Sequence, residues 1–443
     1  MLIDFELENF RSYKDRKALS MESGDRLRKW NHENTLVAPS GLRLLKCVAM
    51  FGANGSGKSS IIKGISLMRS IIINPTHDIS EDLPFYPFRL DDSSAARPTV
   101  FKITFITNNF QYAYAITYNQ NEILNENLSA ADLRKKHFVM KHLFERNKDT
   151  KGLLPDGQEN VAANTRKNSL LLYSLQANNY APAIDVFNWF KQKLIIFSNQ
   201  LDFSTFDDGF IDNPVVQTEL NHFLRASDIN IQGLDHEEMD ISLPQPLVDF
   251  LQSMSEKSDT SDDNRVNSKT KVRNLFTLHK KYDEKGNVIG TQRISLGNES
   301  TGTQRIVLIA LAIIKSQLSD GSDTLIFDEF EEGLHYEMAM ALVNLFNSPQ
   351  NNNQFILATH QLKLLDAHLR VDQIYFTEKN YHGESDLYSL FDYGEAVSRP
   401  DIDFSKRYIK GQFGSVPIIN LEDLKTALGA QPTLTKDKEK KHG

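Results

Sequence analysis

The sequence predicts an α/β fold with a mixed central sheet, an antiparallel β lobe and a helical insertion, and three stretches carry that expectation. Gly52-Ala53-Asn54-Gly55-Ser56-Gly57-Lys58-Ser59 satisfies the pattern G-x-x-x-x-G-K-[ST] at every position. Thr324-Leu325-Ile326-Phe327-Asp328-Glu329 is an apolar strand that ends in two acids. Gln354-Phe355-Ile356-Leu357-Ala358-Thr359-His360 is a second apolar strand, ending in a histidine.

The first stretch has the flanks that its chemistry needs. Leu44 to Phe51 reads as a mostly apolar buried strand, and Ile61, Ile62, Ile65, Met68 and Ile72 repeat at helical spacing until Asn74-Pro75 stops the run. Between strand and helix, glycines let backbone N–H groups turn inward as an anion nest. Lys58 brings a point charge to the β- and γ-phosphates, and Ser59 offers a hydroxyl to Mg²⁺. Asn54, Gly55, Ser56, Gly57, Lys58, Ser59 and Ser60 are therefore candidate nucleotide ligands, and ATP with Mg²⁺ is the expected cofactor pair. In the acid-tipped strand, Asp328 is placed to join Ser59 in the Mg²⁺ shell, and Glu329 to polarise the water that attacks the γ-phosphate. His360 ends the next strand, and neighbouring parallel strands bring their C-terminal ends to one edge. It is the second candidate catalytic residue.

The remaining elements follow in chain order. Leu2, Phe5, Leu7 and Phe10 nearly alternate, as in a strand or hairpin. Thr99–Ile106, Phe110–Tyr118 and Glu122–Leu128 read as consecutive strands joined by asparagine-rich turns, hence an antiparallel sheet beside the phosphate loop. Ser169–Phe197 and Asn213–Leu251 read as mainly helical, and Gln252–Thr270 as a loop poor in apolar residues. Phe276–Tyr282 and Val288–Leu296 flank Asp283-Glu284-Lys285-Gly286-Asn287, a hairpin signature. The expected division is 1–165 (first lobe with the phosphate loop and β sheet), 166–270 (acidic, mainly helical insertion), 271–420 (second lobe) and 421–443 (a helix and a charged, disordered tail).

With 443 residues, 40% of them hydrophobic, the chain can bury a large core divided into two or three subdomains. The N-terminus carries acid where a secretion signal carries base, and no apolar run approaches the ~20 residues of a membrane span. A cytoplasmic protein without membrane contact is expected. The single cysteine, Cys47, excludes an intramolecular disulfide and reads as a small buried hydrophobe. A net charge of −8 disfavours a constitutive nucleic-acid binder, and it is unevenly placed. Leu201 to Asp263 holds fifteen Asp and Glu against Arg225 and Lys257, a balance of −13 that leaves +5 for the rest.

Two further patterns carry a family resemblance. Asn9-Phe10-Arg11, some forty residues before the phosphate loop, resembles the start of SMC-like and RecF-like ATPase heads, where the matching arginine approaches the nucleotide; Arg11 is thereby a candidate nucleotide ligand. Glu299-Ser300-Thr301-Gly302-Thr303-Gln304, ahead of a helix bearing Ile306, Ile309, Ala310 and Ile313, resembles the ABC signature motif, with Ser300 and Gly302 matching its serine and second glycine. That resemblance implies a P-loop ATPase of ABC-head type in which Ser300 and Gly302 reach the γ-phosphate held by a second subunit, so that ATP is shared across a homodimer or higher homo-oligomer.

Glu299 and Thr301 depart from the usual leucine and glycine, and 242 residues separate Lys58 from Ser300, which argues against transporter ATPases. The insertion lacks the sustained heptads of an SMC arm. With Thr359-His360, Leu364-Leu365-Asp366 and the stretch from Arg407-Tyr408 to Phe413-Gly414, the chain from Met1 to Pro417 resembles the ABC-type AAA ATPases of prokaryotic abortive-infection systems, nearest the RloA/AbiL type. Glu331-Glu332-Gly333-Leu334-His335 falls at the D-loop, with Gly333 where relatives often carry a serine; no Q-loop residue is assigned.

The resemblance implies a sensor or regulator of anti-phage defence that acts on a separate effector encoded nearby, with DNA or a phage component as trigger. The negative field of the acidic insertion can steer a basic protein surface, so that segment reads either as a solvated helix face with no partner or as a docking face for the effector. Two other readings compete: a RecF-like DNA-repair ATPase, and an OLD-like ATPase–nuclease using Glu378, Asp401 and Asp403. Only 23 residues separate Glu378 from Asp401, too few for the strand and helix that would stack those acids around metal.

Overall fold

The computed structural model describes residues 1–24, 27–148, 152–197, 202–203, 205–227, 229–242, 269–319, 321–397, 403–414 and 421–429. The chain opens with β1 (Leu2–Glu8) and β2 (Lys17–Ser20), then a two-stranded ribbon of β3 (Thr35–Val37) and β4 (Arg43–Leu45), before β5 (Cys47–Phe51). The apolar run expected as one strand is thus two, broken at Lys46. Its ammonium leaves the sheet to donate to Ser348 O (2.7 Å). The phosphate-loop helix Lys58–Ile73 follows.

Next come β6 (Thr99–Thr107), β7 (Phe110–Tyr118), β8 (Ile123–Asp132) and β9 (Lys141–Asn147). With the first two strands they form an antiparallel sheet in the order β2-β1-β6-β7-β8-β9. Short turns make the β6-β7-β8 pairing local, as the sequence suggests, whereas β1 joins β6 across about a hundred residues, Leu2 opposite Phe105.

The second half departs further from expectation. The stretch 166–270 contains helices, including Leu171–Ala177, Ala181–Asn188 and Pro214–Ala226, but it also carries β10 (Leu194–Phe197) and β11 (Leu234–Ser242) and begins β12 (Lys269–Tyr282). Short apolar runs do not distinguish a strand from a helix turn by periodicity. Here tertiary pairing decides: β10 lies parallel to a strand 130 residues later, Leu194 opposite Thr324. β11 pairs antiparallel with β12, and β12 with β13 (Val288–Ser295), making a three-stranded sheet. The expected loop Gln252–Thr270 lies outside the described residues up to Ser268, and its last two residues are already in β12. The proposed tail beyond the helix Leu421–Gly429 also lies outside them.

After the helix Thr301–Leu318 come β14 (Thr324–Phe327), the helix Tyr336–Phe346, β15 (Gln354–Ala358), β16 (Ile374–Lys379) and β17 (Ser385–Ser389). The central sheet runs β10-β14-β15-β5-β16-β17, parallel except for the last pair. Because successive side chains point to opposite faces, each buried strand feeds two cores. Val48, Met50, Ile326, Ile356 and Ala358 join Ile61, Ile65 and Met68 of the phosphate-loop helix and the aromatic face of the antiparallel sheet. Cys47, Ala49, Phe51, Leu325, Phe327 and Leu357 pack on Ile306–Ile314 and on Leu342 and Val343. Buried Gln354 ties the sheets together: its Nε2 donates to Leu2 O (2.9 Å) and its Oε1 accepts from Leu2 N (2.5 Å). No helix among the described residues is long and apolar enough to cross a membrane.

Candidate nucleotide site

The topology places β14, β15, β5 and β16 side by side, so their C-terminal ends open on one edge. A cleft of about 710 Å³ lies there, lined by Arg11, Ser12, Asn54 to Ser60, Lys63, Glu329, Glu331, Glu332, His360 and Lys379. The phosphate loop turns through positive φ at Gly52 (155°), Gly55 (74°) and Gly57 (127°). At two of these a side chain has no room. A Cβ on Gly52 would stand 2.4 Å from Thr377 O, and one on Gly57 would stand 2.7 Å from Ser385 Oγ.

Lys58 is 4% exposed. Its ammonium donates to Gly52 O (2.8 Å) and Ala53 O (3.1 Å) and meets His360 Nδ1 at 3.3 Å. Burial pushes its pKa down to about 8, against an opposing pull from Glu331, Asp328 and Glu329. Burial, with the positive charge of Lys58 beside it, also lowers His360. A neutral imidazole can accept from the ammonium, so the pair is chemically consistent. Glu331 fixes His360 in turn, its Oε1 accepting from the backbone N–H groups of His360 and Gln361 (3.0 Å to the latter).

On the metal side, Ser59 Oγ donates to Asp328 Oδ1 at 3.1 Å. A hydroxyl and one carboxylate, hard oxygen donors both, suit Mg²⁺, which takes one or two carboxylates, phosphate oxygens and retained waters. Glu329 follows at φ +47°, a left-handed conformation uncommon outside glycine. It is held from behind. Arg305, 1% exposed on the helix Thr301–Leu318, donates through Nη2 to Asp328 O (2.7 Å) and Glu329 O (2.9 Å).

Ser300 caps that same helix, its Oγ accepting from Thr303 N (3.1 Å). Neither Ser300 nor Gly302 lines the cleft, and Ser300 is exposed. Gly302 packs instead against Gly333, whose φ is +74°; a Cβ on Gly302 would lie 2.3 Å from Gly333 O. Gly333, at the position expected for the D-loop, thus makes a backbone-to-backbone contact with the helix Thr301–Leu318.

The family described as "AAA domain, putative AbiEii toxin, Type IV TA system" matches residues 47–366 of this chain. The chain belongs to this AAA family. Phosphate loop, signature and acid-tipped strand all fall inside the matched span of the AAA domain. Among solved structures, the SMC head domain from Thermotoga maritima aligns over 88% of the AAA chain and 98% of its own at 13% identity, with a TM-score of 0.38. The Smc head with an extended coiled coil bound to the C-terminal domain of ScpA, derived from Pyrococcus furiosus, covers 88% and 96% at 11% identity and the same TM-score. No curated protein matches the chain.

Arg11 does reach the AAA cleft. Its φ of 52° turns the chain, its N–H donates to Tyr86 O (2.7 Å), and its guanidinium stands 5.3 Å over the Tyr86 ring. Lys63 and Lys379 line the AAA cleft without having been read from the sequence, and Glu331, read only as part of the D-loop stretch, lines it too. Lys63 follows Ser59 by one helical turn and was legible from that spacing. Lys379 was not, because its place depends on β16 lying beside β5. Cys47 is fully buried in the core, its thiol raised by burial.

Proposed function

We propose that this AAA protein binds Mg²⁺-ATP in the cleft, hydrolyses it between two copies of the chain, and thereby regulates a separate effector of a cytoplasmic anti-phage system. One observation supports the shared site most directly: the cleft gathers phosphate loop, Glu329 and His360, with Asp328 bonded to Ser59 of the loop, while Ser300 stands exposed outside it. A signature that cannot serve its own nucleotide can serve a partner's. In this reading Lys58, Arg11 and the backbone nest hold the phosphates, Ser59 and Asp328 hold Mg²⁺, and bound Mg²⁺ neutralises phosphate charge. Glu329 takes the proton of the attacking water, and neutral His360 stands beside Lys58 to sense the terminal phosphate.

The defence role rests on the family's description and on the abortive-infection resemblance. Nothing specific favours the nuclease alternative. Asp403 caps its own helix, accepting from Lys406 N (2.9 Å), and Asp401 lies outside the described residues.

The test separates binding from chemistry. Lys58→Ala should abolish nucleotide binding, whereas Glu329→Gln should retain ATP and ATP-driven association but lose on the order of 10²-fold in turnover. Mixing Lys58→Ala with Ser300→Arg should recover one intact shared site. Parental turnover in Glu329→Gln, or no recovery in any mixture of folded chains, would contradict the assignment. ATP-dependent, salt-sensitive DNA binding by the chain alone would favour the repair reading instead.

A further inference from the structure

Glu299, immediately before the signature serine, is bonded in two directions. Its backbone ends the turn Leu296–Asn298, and its carbonyl accepts from Gln304 Nε2 (2.8 Å), one turn into the signature helix. Its side chain, largely buried, points away from that helix. Oε1 accepts from Thr277 Oγ1 (2.6 Å) and lies 2.7 Å from His279 Nε2, which is itself 3.1 Å from Thr277 Oγ1. Thr277 and His279 both belong to β12. One residue therefore joins the start of the signature helix to the three-stranded sheet.

That sheet is rooted at one level and free at another. Leu234, Leu275 and Leu296 are buried in the core around the signature helix. At the far turn Tyr282, Val288 and Ile289 are exposed, as are the first six residues of β13. A leucine at position 299, as in the usual signature, could fill the space but could accept neither bond. Ser300 is exposed, and the bonds of Glu299 tie the residue just before it to β12.

We propose that Glu299 is a positioning residue for the shared site: it hangs Ser300 from β12, so that the three-stranded sheet sets where the signature hydroxyl meets the nucleotide of a second copy. The inference rests on the two-copy reading above. It also gives the sheet a regulatory use, since a protein that docks on the exposed hairpin and shifts β12 shifts Ser300 with it.

The experiment compares Glu299→Leu, which removes both bonds, with Glu299→Gln, which keeps an acceptor oxygen. ADP binding by each single chain should match the parent, because the cleft itself is untouched. Turnover should fall on the order of 10²-fold in Glu299→Leu, seen in kcat with KM little changed, and recover mostly in Glu299→Gln. Mixed with Lys58→Ala, the Glu299→Leu chain should regain activity, its own cleft being served by the partner's intact signature. Parental kcat in Glu299→Leu would overturn the proposal. So would a loss of ADP binding in both variants, which marks a folding role, or no recovery in the mixture while Ser300→Arg does recover. Absence of ATP-driven association in the parent chain would sink the two-copy reading itself, before any variant is made.

Discussion

At Lys58 the charge needed for phosphate is held where charge is costly. Two carbonyls and an imidazole surround the ammonium, and burial lowers its pKa to about 8. Below that pH the side chain is already protonated in the free protein; above it a growing fraction is neutral. Bound phosphate favours the charged form and so raises the pKa. ADP binding should therefore take up little proton at this group near about pH 6.5, and approach roughly one proton by about pH 9. Titration calorimetry in buffers of different ionisation heat measures this. Lys58→Arg, charged throughout, should abolish the rise. Equal uptake by the parent at both pH values would refute the assignment. The lysine and its loop were legible because the phosphate nest is contiguous in sequence. Arg305 was not, since its task is to bond two carbonyls 23 and 24 residues away.

Elements were legible in proportion to how locally they are determined. The antiparallel strands announce themselves through alternation and asparagine turns, and the phosphate-loop helix through its spaced isoleucines. β10 and β11 escaped because four apolar residues, or an acidic run, become a strand only when a distant partner is present. Even a cap can be remote: buried Glu126 of β8 accepts from the N–H groups of Leu171 (2.6 Å) and Leu172 (2.7 Å), where a later helix begins. The contact of Gly302 with Gly333 belongs to this scale. Gly302→Ala sets a Cβ 2.3 Å from a carbonyl oxygen, so the signature helix and the D-loop must part. We expect a stability loss of about 1–3 kcal/mol in denaturant titration. ADP binding should persist while ATP-driven association falls on the order of 10²-fold. Unchanged association would show that the signature does not need this contact.

Across the whole molecule, charge asymmetry was readable from composition but its form was not. Asp235 and Glu237 lie on a strand, and Arg293 of β13 reaches both (2.9 and 3.4 Å) with its guanidinium 4.2 Å over the Phe276 ring. Asp240 belongs to the same strand, its side chain outside the described residues. Converting Asp235, Glu237 and Glu238 to Asn or Gln leaves Arg293 without its acids and makes this face more basic. If the face steers a basic effector surface, co-purification of the neighbouring gene product should fall, most at low salt, while ATPase activity persists. Retention of the effector at low salt would rule out this docking face.

The order of the central sheet bears on how the protein is made. β5 lies between β15 and β16, so the loop that follows it lacks the His360 and Lys379 side of its cleft until residues three hundred positions later have joined the sheet. At a synthesis rate of about 5–20 residues per second, the stretch from Phe51 to Gln354 takes about 15–60 s to emerge. Throughout that interval the nascent chain carries a complete phosphate-loop sequence without that side of its cleft. On the proposed reading, a chain interrupted before β15 should bind ATP more weakly than the full chain, which equilibrium binding on the two would check.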